Sequence, residues 1–233
     1  MRPLLKAFII ATLCVSAAWA ARYETRAVHD PNGIGKFYMG REIAHVMGPS
    51  GILWLERAER DREERPQLVL DALDIGEGQT IADLGCGSGY YAFRMSQLVG
   101  TGGKVFAVDI EPRMLEFVRE RAKREGITNI EPIRASLTDP NLPPNKIDLV
   151  LMVDVYHELE HPFEVMQRVR EALKPGGRVA LVEYRAEDPK VMIKAVHKMT
   201  EKQVIAEMDA AGLRHAKTIP TLPLQHLLIF EKR

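Results

Sequence analysis

The sequence predicts a doubly wound α/β domain with a mostly parallel sheet, because short apolar strands alternate with amphipathic helices from about residue 80 onward. The segments 80–84 and 147–153 are nearly continuous apolar runs, typical of strands that are covered on both faces. Between them, residues 112–124 repeat apolar side chains at helical spacing. A glycine-rich turn follows the first strand at 85–89. This alternation favours a parallel sheet with helices on both faces.

The individual elements follow from the same periodicities. We expect strands at 80–84, 104–110, 131–135, 147–153, 178–183 and 227–231. We expect helices at 91–99, 112–124, 163–173 and 200–211, and earlier ones over 52–65 and from Pro66 onward. The sequence therefore predicts one domain at 67–233, preceded by an N-terminal helical extension at 21–66 that serves as a lid or cap.

Composition places the chain among ordinary globular proteins. Its 233 residues are enough for one large domain, or for one domain with an extension. Hydrophobic residues make up 46% and charged residues 27%, which excludes the disordered and fibrous classes. Basic and acidic residues balance at 32 each and form no long basic run, so composition does not favour nucleic acid as a partner.

The first twenty residues are predicted to form a signal peptide. Arg2 and Lys6 precede an uncharged run over 7–18, and the tripeptide Ala-Trp-Ala at 18–20 is typical of a cleavage site. The run is shorter than the roughly 20 residues that a membrane span needs. We therefore expect export, to a periplasm or out of the cell, with a membrane anchor as the alternative. Cleavage would leave one cysteine, so cysteine usage does not indicate the redox compartment.

A glycine-rich turn and an acidic residue indicate a cofactor site. The turn at 83–89 reads Asp-Leu-Gly-Cys-Gly-Ser-Gly, and the next strand reaches Asp109, 20 residues beyond Gly89. Glycines let the backbone turn sharply and let a ligand approach closely. Ligands of open α/β sheets bind at the carboxyl ends of the strands. The Asp109 carboxylate can accept hydrogen bonds from both ribose hydroxyls, so the pair indicates a nucleoside-containing cofactor.

Two cofactor classes use this arrangement. The nicotinamide fingerprint places its third glycine at the position that Tyr90 occupies here. Asp83 lies two residues before the first glycine, where its charge disfavours a pyrophosphate and suits a cofactor that carries an amino group. A nicotinamide-dependent oxidoreductase stays open as the alternative. So does a protein that binds its cofactor without catalysis.

Three segments resemble one known family, in the same order along the chain. Residues 83–89 resemble motif I of the class I S-adenosylmethionine-dependent methyltransferases, and residues 104–112 resemble their second-strand motif. Residues 173–178 are similar to the L-K-P-G-G turn that enters their fifth strand. The resemblance covers 66–233 and is closest to the small-molecule branch that methylates quinone precursors. It implies a Rossmann-like fold with a seven-stranded sheet, S-adenosylmethionine as cofactor, and a small-molecule acceptor.

The resemblance also implies which residues hold the cofactor. Those residues are Asp83, Gly85, Cys86, Gly87, Gly89, Asp109, Ile110, Ser136 and Leu137. The first five would hold the methionine end, Asp109 the ribose, and the last three the adenine. Many relatives carry an acid directly after the third strand. Here Asp139 comes later. Either Ser136 or Asp139 takes the place of that acid, or Asp139 is a turn residue before Pro140, which is the interpretation that we favour.

The segment after the fourth strand carries the predicted catalytic residues, Asp154, Tyr156 and His157. The resemblance implies that this segment faces the methyl donor. A histidine titrates in the range that suits a general base near neutrality. Asp154 or Tyr156 would orient His157 or contact the acceptor. The alternative is that His157 bonds a backbone group and shapes the pocket.

No metal site is expected at this segment. His157, Glu158 and His161 superficially match the pattern H-E-x-x-H. That pattern binds zinc when both histidines lie on one face of a helix, whereas Pro162 disfavours a helical conformation for His161. His161 is instead expected to begin a helix.

Two other side chains have a plain and a functional interpretation. Cys86 is predicted to be a small residue that fits a crowded loop rather than a reactive thiol. The aromatic rings of Tyr38 and Trp54 either line a substrate pocket or anchor the extension on the domain.

Overall fold

The structure, a computed structural model, describes residues 22–233. The signal peptide or anchor predicted at 1–20 lies outside these residues and stays a prediction. Among the residues that are described, no helix is long and apolar enough to cross a membrane.

The extension begins with a small antiparallel sheet where the sequence predicted helix. Its strands are Tyr23–Thr25 (β1), Gly33–Tyr38 (β2) and Arg41–Ala44 (β3). Burial in β2 alternates with the two-residue period of a strand, which corrects the expectation of helix here. The turn between β2 and β3 is Met39-Gly40, with φ of 49° and 87°. Positive φ at both residues is typical of a tight hairpin turn.

The second part of the extension is helical but broken. The helix predicted over 52–65 is divided into two one-turn helices, Ile52–Leu55 (α1) and Arg60–Glu63 (α2). The Arg57 guanidinium donates a hydrogen bond of 2.9 Å to the Trp54 carbonyl, which satisfies an orphan group at the end of α1. The next helix, Pro66–Leu73 (α3), begins at the proline as predicted.

The domain is built on one seven-stranded sheet. Its strands are Thr80–Leu84 (β4), Lys104–Asp109 (β5), Ile130–Arg134 (β6), Ile147–Val153 (β7), Leu173–Tyr184 (β8), Leu213–Ile219 (β9) and Gln225–Lys232 (β10). Their order across the sheet is β6-β5-β4-β7-β8-β10-β9. The pairs from β6 to β8 are parallel, and β10 runs antiparallel to β8 and β9. The predicted mostly parallel, doubly wound sheet is confirmed.

Four helices cover the sheet. They are Tyr90–Val99 (α4), Pro112–Glu125 (α5), Pro162–Ala172 (α6) and Glu201–Ala210 (α7). Each begins and ends within one residue of its predicted bounds. Two have a side-chain cap, because the Glu111 carboxylate accepts a hydrogen bond from the Arg113 amide and the Thr200 hydroxyl accepts one from the Gln203 amide.

The core is divided between the two faces of the sheet, and β7 shows how one strand supplies both. Leu149 and Leu151 pack into the cluster on one face, while Val150 and Met152 pack into the cluster on the other. This burial on both faces explains why the strand is a continuous apolar run. The apolar faces are closed by helices, so the open part of the domain is the edge where the parallel strands end.

A buried ion pair joins the extension to the domain. The Arg41 guanidinium in β3 donates two hydrogen bonds to the Glu207 carboxylate in α7, at 2.9 and 3.0 Å. The Glu207 side chain is fully buried and that of Arg41 is nearly so. Arg41 also donates a hydrogen bond of 3.1 Å to the His157 carbonyl. One guanidinium therefore fastens the extension to α7 and to the segment after β7.

We predict that Arg41→Ala lowers the free energy of unfolding by about 3–5 kcal/mol, because it leaves the Glu207 carboxylate buried without its partner. Urea unfolding measures this change. The control is Lys104→Ala, which breaks the exposed Lys104–Glu131 ion pair of 2.7 Å and should cost less than about 1 kcal/mol. Equal losses in the two variants would contradict the prediction.

Candidate functional site

A cleft opens at the carboxyl ends of β4, β5 and β7, where open α/β sheets bind their ligands. One wall comes from the domain, and the extension supplies the other. The extension residues that line it are Ile34, Ala44, Val46, Met47, Trp54, Leu55 and Arg60. The cleft encloses about 1310 Å³, its open mouth included.

The glycine loop forms the floor of the cleft and is fastened to β5. The amides of Gly85 and Cys86 both donate to the Val108 carbonyl, at 2.8 and 3.0 Å. Gly85 has a φ of 75°, and a Cβ added to it would lie 2.4 Å from a Val155 methyl group. Only glycine fits this position.

The predicted loop residues divide between the cleft and the layer behind it. Gly85, Cys86 and Gly87 line the cleft, whereas Gly89 lies behind it, where an added Cβ would meet the Phe93 ring at 2.8 Å. Burial raises the pKa of the Cys86 thiol, so the thiol stays protonated. This favours the interpretation of Cys86 as a small packing residue over that of a nucleophile.

Asp109 ends β5 at the edge of the same floor. Its Oδ2 atom accepts a hydrogen bond of 2.9 Å from the Gly87 amide, and its Oδ1 atom accepts one of 2.9 Å from the Glu111 amide. Each oxygen of a carboxylate can accept a further hydrogen bond. The side chain is therefore fixed in orientation and can still accept from a ligand. Ile110 lines the cleft beside it.

Asp83 is a buried carboxyl group that faces the cleft. Its Oδ2 atom has no hydrogen-bond partner among the residues that the structure describes. Burial raises the pKa of Asp83 to about 7, and the nearby Arg60 guanidinium opposes that rise. Arg60 comes from α2, is 4% exposed, and lines the same cleft. The Arg60 guanidinium is itself paired with the buried Glu64 carboxylate at 2.8 Å. Among the described residues, the Asp83 carboxyl group therefore remains the unpaired charged group at this part of the cleft, which suits an ammonium group of a ligand.

The loop after β6 borders the opposite part of the cleft. Ser136 and Leu137 line it, as predicted for the adenine side, and so does Pro140. Asp139 is not among the lining residues. Its carboxylate accepts a hydrogen bond of 2.8 Å from the Asn141 amide, so it acts as a turn residue.

The three predicted catalytic residues do not lie together. Asp154 lines the cleft, whereas Tyr156 and His157 are buried and do not line it. Asp154 lines the cleft at a φ of 54°, and its Oδ2 atom accepts a hydrogen bond of 2.7 Å from Gln225. Burial raises the pKa of Asp154 well above its usual range, with Glu64 and Glu183 adding to the rise. Tyr156 is fully buried and does not line the cleft.

His157 lies behind the wall of the cleft instead of on its surface. It is 2% exposed and is absent from the lining residues. Its Nδ1 atom is 2.6 Å from the Glu183 carboxylate, and its Nε2 atom is 3.1 Å from Nδ1 of His197. Burial lowers the pKa of His157, but the Glu183 carboxylate outweighs it and the pKa is raised overall. The catalytic role predicted for His157 stays a prediction.

Glu158 stands at the wall in front of His157. It lines the cleft, and its Oε2 atom accepts a hydrogen bond of 3.3 Å from the Met47 amide. Burial raises the pKa of Glu158 to about 7. His161, the other member of the sequence pattern, lies at the start of α6, as expected.

Sequence reasoning missed Arg60 and His197 altogether and considered Glu158 only within a metal pattern. Arg60 lies in a run of charged residues that gives it no distinguishing spacing, and His197 is 40 residues beyond the histidine that it contacts. No local signal identifies either residue. Trp54 was considered and does line the cleft, whereas Tyr38 is buried within the extension.

The fold and the site together define an α/β protein of the methyltransferase class, with a glycine loop and two acids at one sheet edge. A family described as a methyltransferase domain matches residues 75–221, more than half of the chain. The chain belongs to the family of S-adenosylmethionine-dependent methyltransferases, and S-adenosylmethionine is the cofactor that this fold implies.

Relatives and solved structures of this family are similar to the chain. A ubiquinone/menaquinone biosynthesis C-methyltransferase UbiE from Pseudomonas putida is 30% identical over 55% of this chain and 51% of its own length. An Escherichia coli UbiE is 29% identical over 51% and 47%. The chain thus spans about half the length of these relatives. The crystal structure of a SAM dependent methyltransferase from Aquifex aeolicus has a TM-score of 0.75, 25% identity, and covers 79% of this chain and 98% of its own.

We predict that Asp83→Asn changes how stability depends on pH. The folded pKa of about 7 lies above the usual aspartate value of about 3.9, so the unfolded chain ionises first as the pH rises. The wild type should therefore lose about 1–3 kcal/mol of unfolding free energy relative to the variant between pH 5 and 8, and little above that. Urea unfolding at both pH values measures this, with the exposed Asp71→Asn as control. Parallel pH curves for wild type and Asp83→Asn would contradict the prediction.

Proposed function

We propose that the chain transfers the methyl group of S-adenosylmethionine to a small-molecule acceptor. The observation that carries the proposal is the Asp83 carboxyl group, buried at the cleft with an unpaired oxygen and accompanied by the Arg60 guanidinium. The Asp83 carboxylate matches the ammonium of the cofactor's amino-acid end, and Arg60, which is paired with Glu64, borders the same part of the cleft. Asp109, already oriented by two backbone amides, matches the ribose hydroxyls.

The wall that the extension supplies favours an apolar or aromatic acceptor. Val46, Met47 and Trp54 line the cleft and keep 38–51% of their surface exposed. Exposed apolar side chains grouped at one cleft are typical of a binding surface. The relatives that act in ubiquinone and menaquinone biosynthesis support a quinone precursor as the acceptor.

Methyl transfer requires the protein mainly to align the cofactor with the acceptor. When bound, the cofactor supplies a methyl group that its sulfonium already activates. The loop and the two acids fix the cofactor's position, and the extension wall holds the acceptor and excludes water, which is catalysis by proximity. A general base is needed only for an acceptor that must lose a proton.

Two other functions are less well supported. A nicotinamide-dependent oxidoreductase would need a third glycine where Tyr90 begins α4, and that ring is packed under the Arg60 guanidinium, 4.1 Å away. A binding protein without catalysis would not need the apolar wall that Val46, Met47 and Trp54 form beside the cofactor site. The experiment below distinguishes the first, and turnover distinguishes the second.

We predict that Asp109→Ala weakens the binding of S-adenosylmethionine by about 1–3 kcal/mol, because ribose hydroxyls lose their acceptor. Isothermal titration calorimetry measures the Kd. Asp71→Ala, an exposed aspartate in α3, is the matched control and should bind as the wild type does. Tight binding of a nicotinamide cofactor, or no binding of S-adenosylmethionine by the wild type, would overturn the proposed function.

We predict that His157→Ala lowers turnover by roughly 10²–10⁴-fold, with the Kd of the cofactor hardly changed, if His157 is the general base that the sequence predicts. The assay uses a methyl-labelled cofactor and a quinone precursor at saturation. The control is His215→Ala, because His215 lies on the edge strand β9 and does not line the cleft. Thermal melts of both variants accompany the kinetics. Full turnover in a folded His157→Ala protein would remove His157 from the reaction.

A further inference from the structure

Two imidazoles and a carboxylate meet at one point beside the cleft. His157 and Glu158 belong to the 3₁₀ turn Tyr156–Glu158 after β7, and His197 ends the 3₁₀ turn Ala195–His197 before α7. The Nε2 atom of His157 is 3.1 Å from Nδ1 of His197 and 3.9 Å from Oε1 of Glu158. That same Oε1 atom is 3.8 Å from Nδ1 of His197. The three ligand atoms form a closed triangle.

The size of this triangle matches one face of a tetrahedral metal site. Bonds of about 2.0–2.2 Å from zinc to nitrogen or oxygen place neighbouring ligand atoms roughly 3.3–3.6 Å apart in a tetrahedron. The observed edges of 3.1, 3.8 and 3.9 Å lie within about half an ångström of that range. Three protein ligands leave the fourth position for a water molecule or a substrate atom.

A further carboxylate fixes one of the imidazoles in the orientation that a ligand needs. Oε2 of Glu183 is 2.6 Å from Nδ1 of His157, and both side chains are buried. A hydrogen bond from Nδ1 leaves the Nε2 lone pair directed at His197 and Glu158. Carboxylates in this position commonly orient the histidines of metal sites.

The chain path also holds His197 in place. Its 3₁₀ turn lies in the connection between β8 and α7, where the Met199 amide donates to the Tyr184 carbonyl at 3.0 Å. The Lys198 ammonium donates a hydrogen bond of 3.2 Å to the Val191 carbonyl. The segment that carries His197 is therefore bonded to Tyr184 at the end of β8. His157 contacts Glu183 in the same strand.

We propose that His157, Glu158 and His197 bind one divalent transition-metal ion of the Zn²⁺ class. Two nitrogen ligands and one carboxylate suit Zn²⁺, Co²⁺ or Fe²⁺, whereas Ca²⁺ and Mg²⁺ prefer oxygen ligands. The sequence analysis expected no metal site at this segment, because Pro162 disfavours a helical His161; the fold brings His197 to this place, which the sequence pattern did not include.

An ion held here lies at the cleft wall, because Glu158 is also a lining residue. At that place it acts as a Lewis acid on a hydroxyl or thiol of a bound molecule and lowers the pKa of that group. The assignment makes His157 a ligand in place of a general base, since one Nε2 lone pair serves either role. It stands without the proposed methyl transfer, and its test does not use turnover.

The test is titration of the full chain, first stripped with a chelator, with Co²⁺ as a spectroscopic probe. We expect one Co²⁺ per chain, with the strong visible absorption of four-coordinate cobalt, and displacement by Zn²⁺. His197→Ala should abolish the absorption, and Glu183→Gln should weaken binding by about 10–100-fold. The control is His45→Ala, an exposed histidine that should leave the titration unchanged.

Thermal melts keep the test decisive for variants that fold poorly. Zn²⁺ should raise the Tm of the wild type and of His45→Ala, because an ion that binds only the folded state stabilises it. It should not raise the Tm of His197→Ala. Absence of saturable binding in the wild type, equal binding by His197→Ala, or a sulfur-to-cobalt charge-transfer band would overturn the proposal.

Discussion

Three hydrogen bonds, each donated by a backbone amide of the glycine loop to an acceptor in β5, hold the site together. The amides of Gly85 and Cys86 share the Val108 carbonyl, and the Gly87 amide binds the carboxylate of Asp109. Parallel pairing of β4 with β5 sets Leu84 beside Val108, so the loop leaves its strand next to the strand end that it must meet. These hydrogen bonds satisfy the amides of Gly85, Cys86 and Gly87 and fix the position of the loop relative to β5.

The parts of the molecule that could be predicted are those whose signal is local. The strand β7 is apolar along its whole length because it is covered on both faces, and α5 shows its buried face in its own periodicity. The positions of Asp83 and Asp109 follow as well, since Asp83 is the penultimate residue of β4 and Asp109 is the last residue of β5. Helix bounds were accurate because prolines and capping side chains mark them within the sequence.

The remaining parts depend on partners that are distant in the sequence. Strand β9 has one buried residue in seven, because it lies at the edge of the sheet, and so it lacks the apolar run that identifies a strand. The extension sheet was missed for a related reason, since its strands are short and β2 contains two glycines. His197 reaches His157 only through the long connection after β8. Such contacts are properties of the fold, and no spacing within the sequence specifies them.

The Arg41 guanidinium has a consequence for how this chain can be divided. The family match begins at residue 75. Arg41 lies before it, yet Arg41 neutralises the buried Glu207 carboxylate and donates a hydrogen bond to the His157 carbonyl. Removal of the preceding residues would also take away Trp54 and one side of the cleft. A chain trimmed to residues 75–221 would leave the buried Glu207 carboxylate without its ion-pair partner and would expose the apolar side of the cleft. An exposed apolar surface of this kind favours aggregation. In this protein the working unit is larger than the unit that sequence similarity outlines.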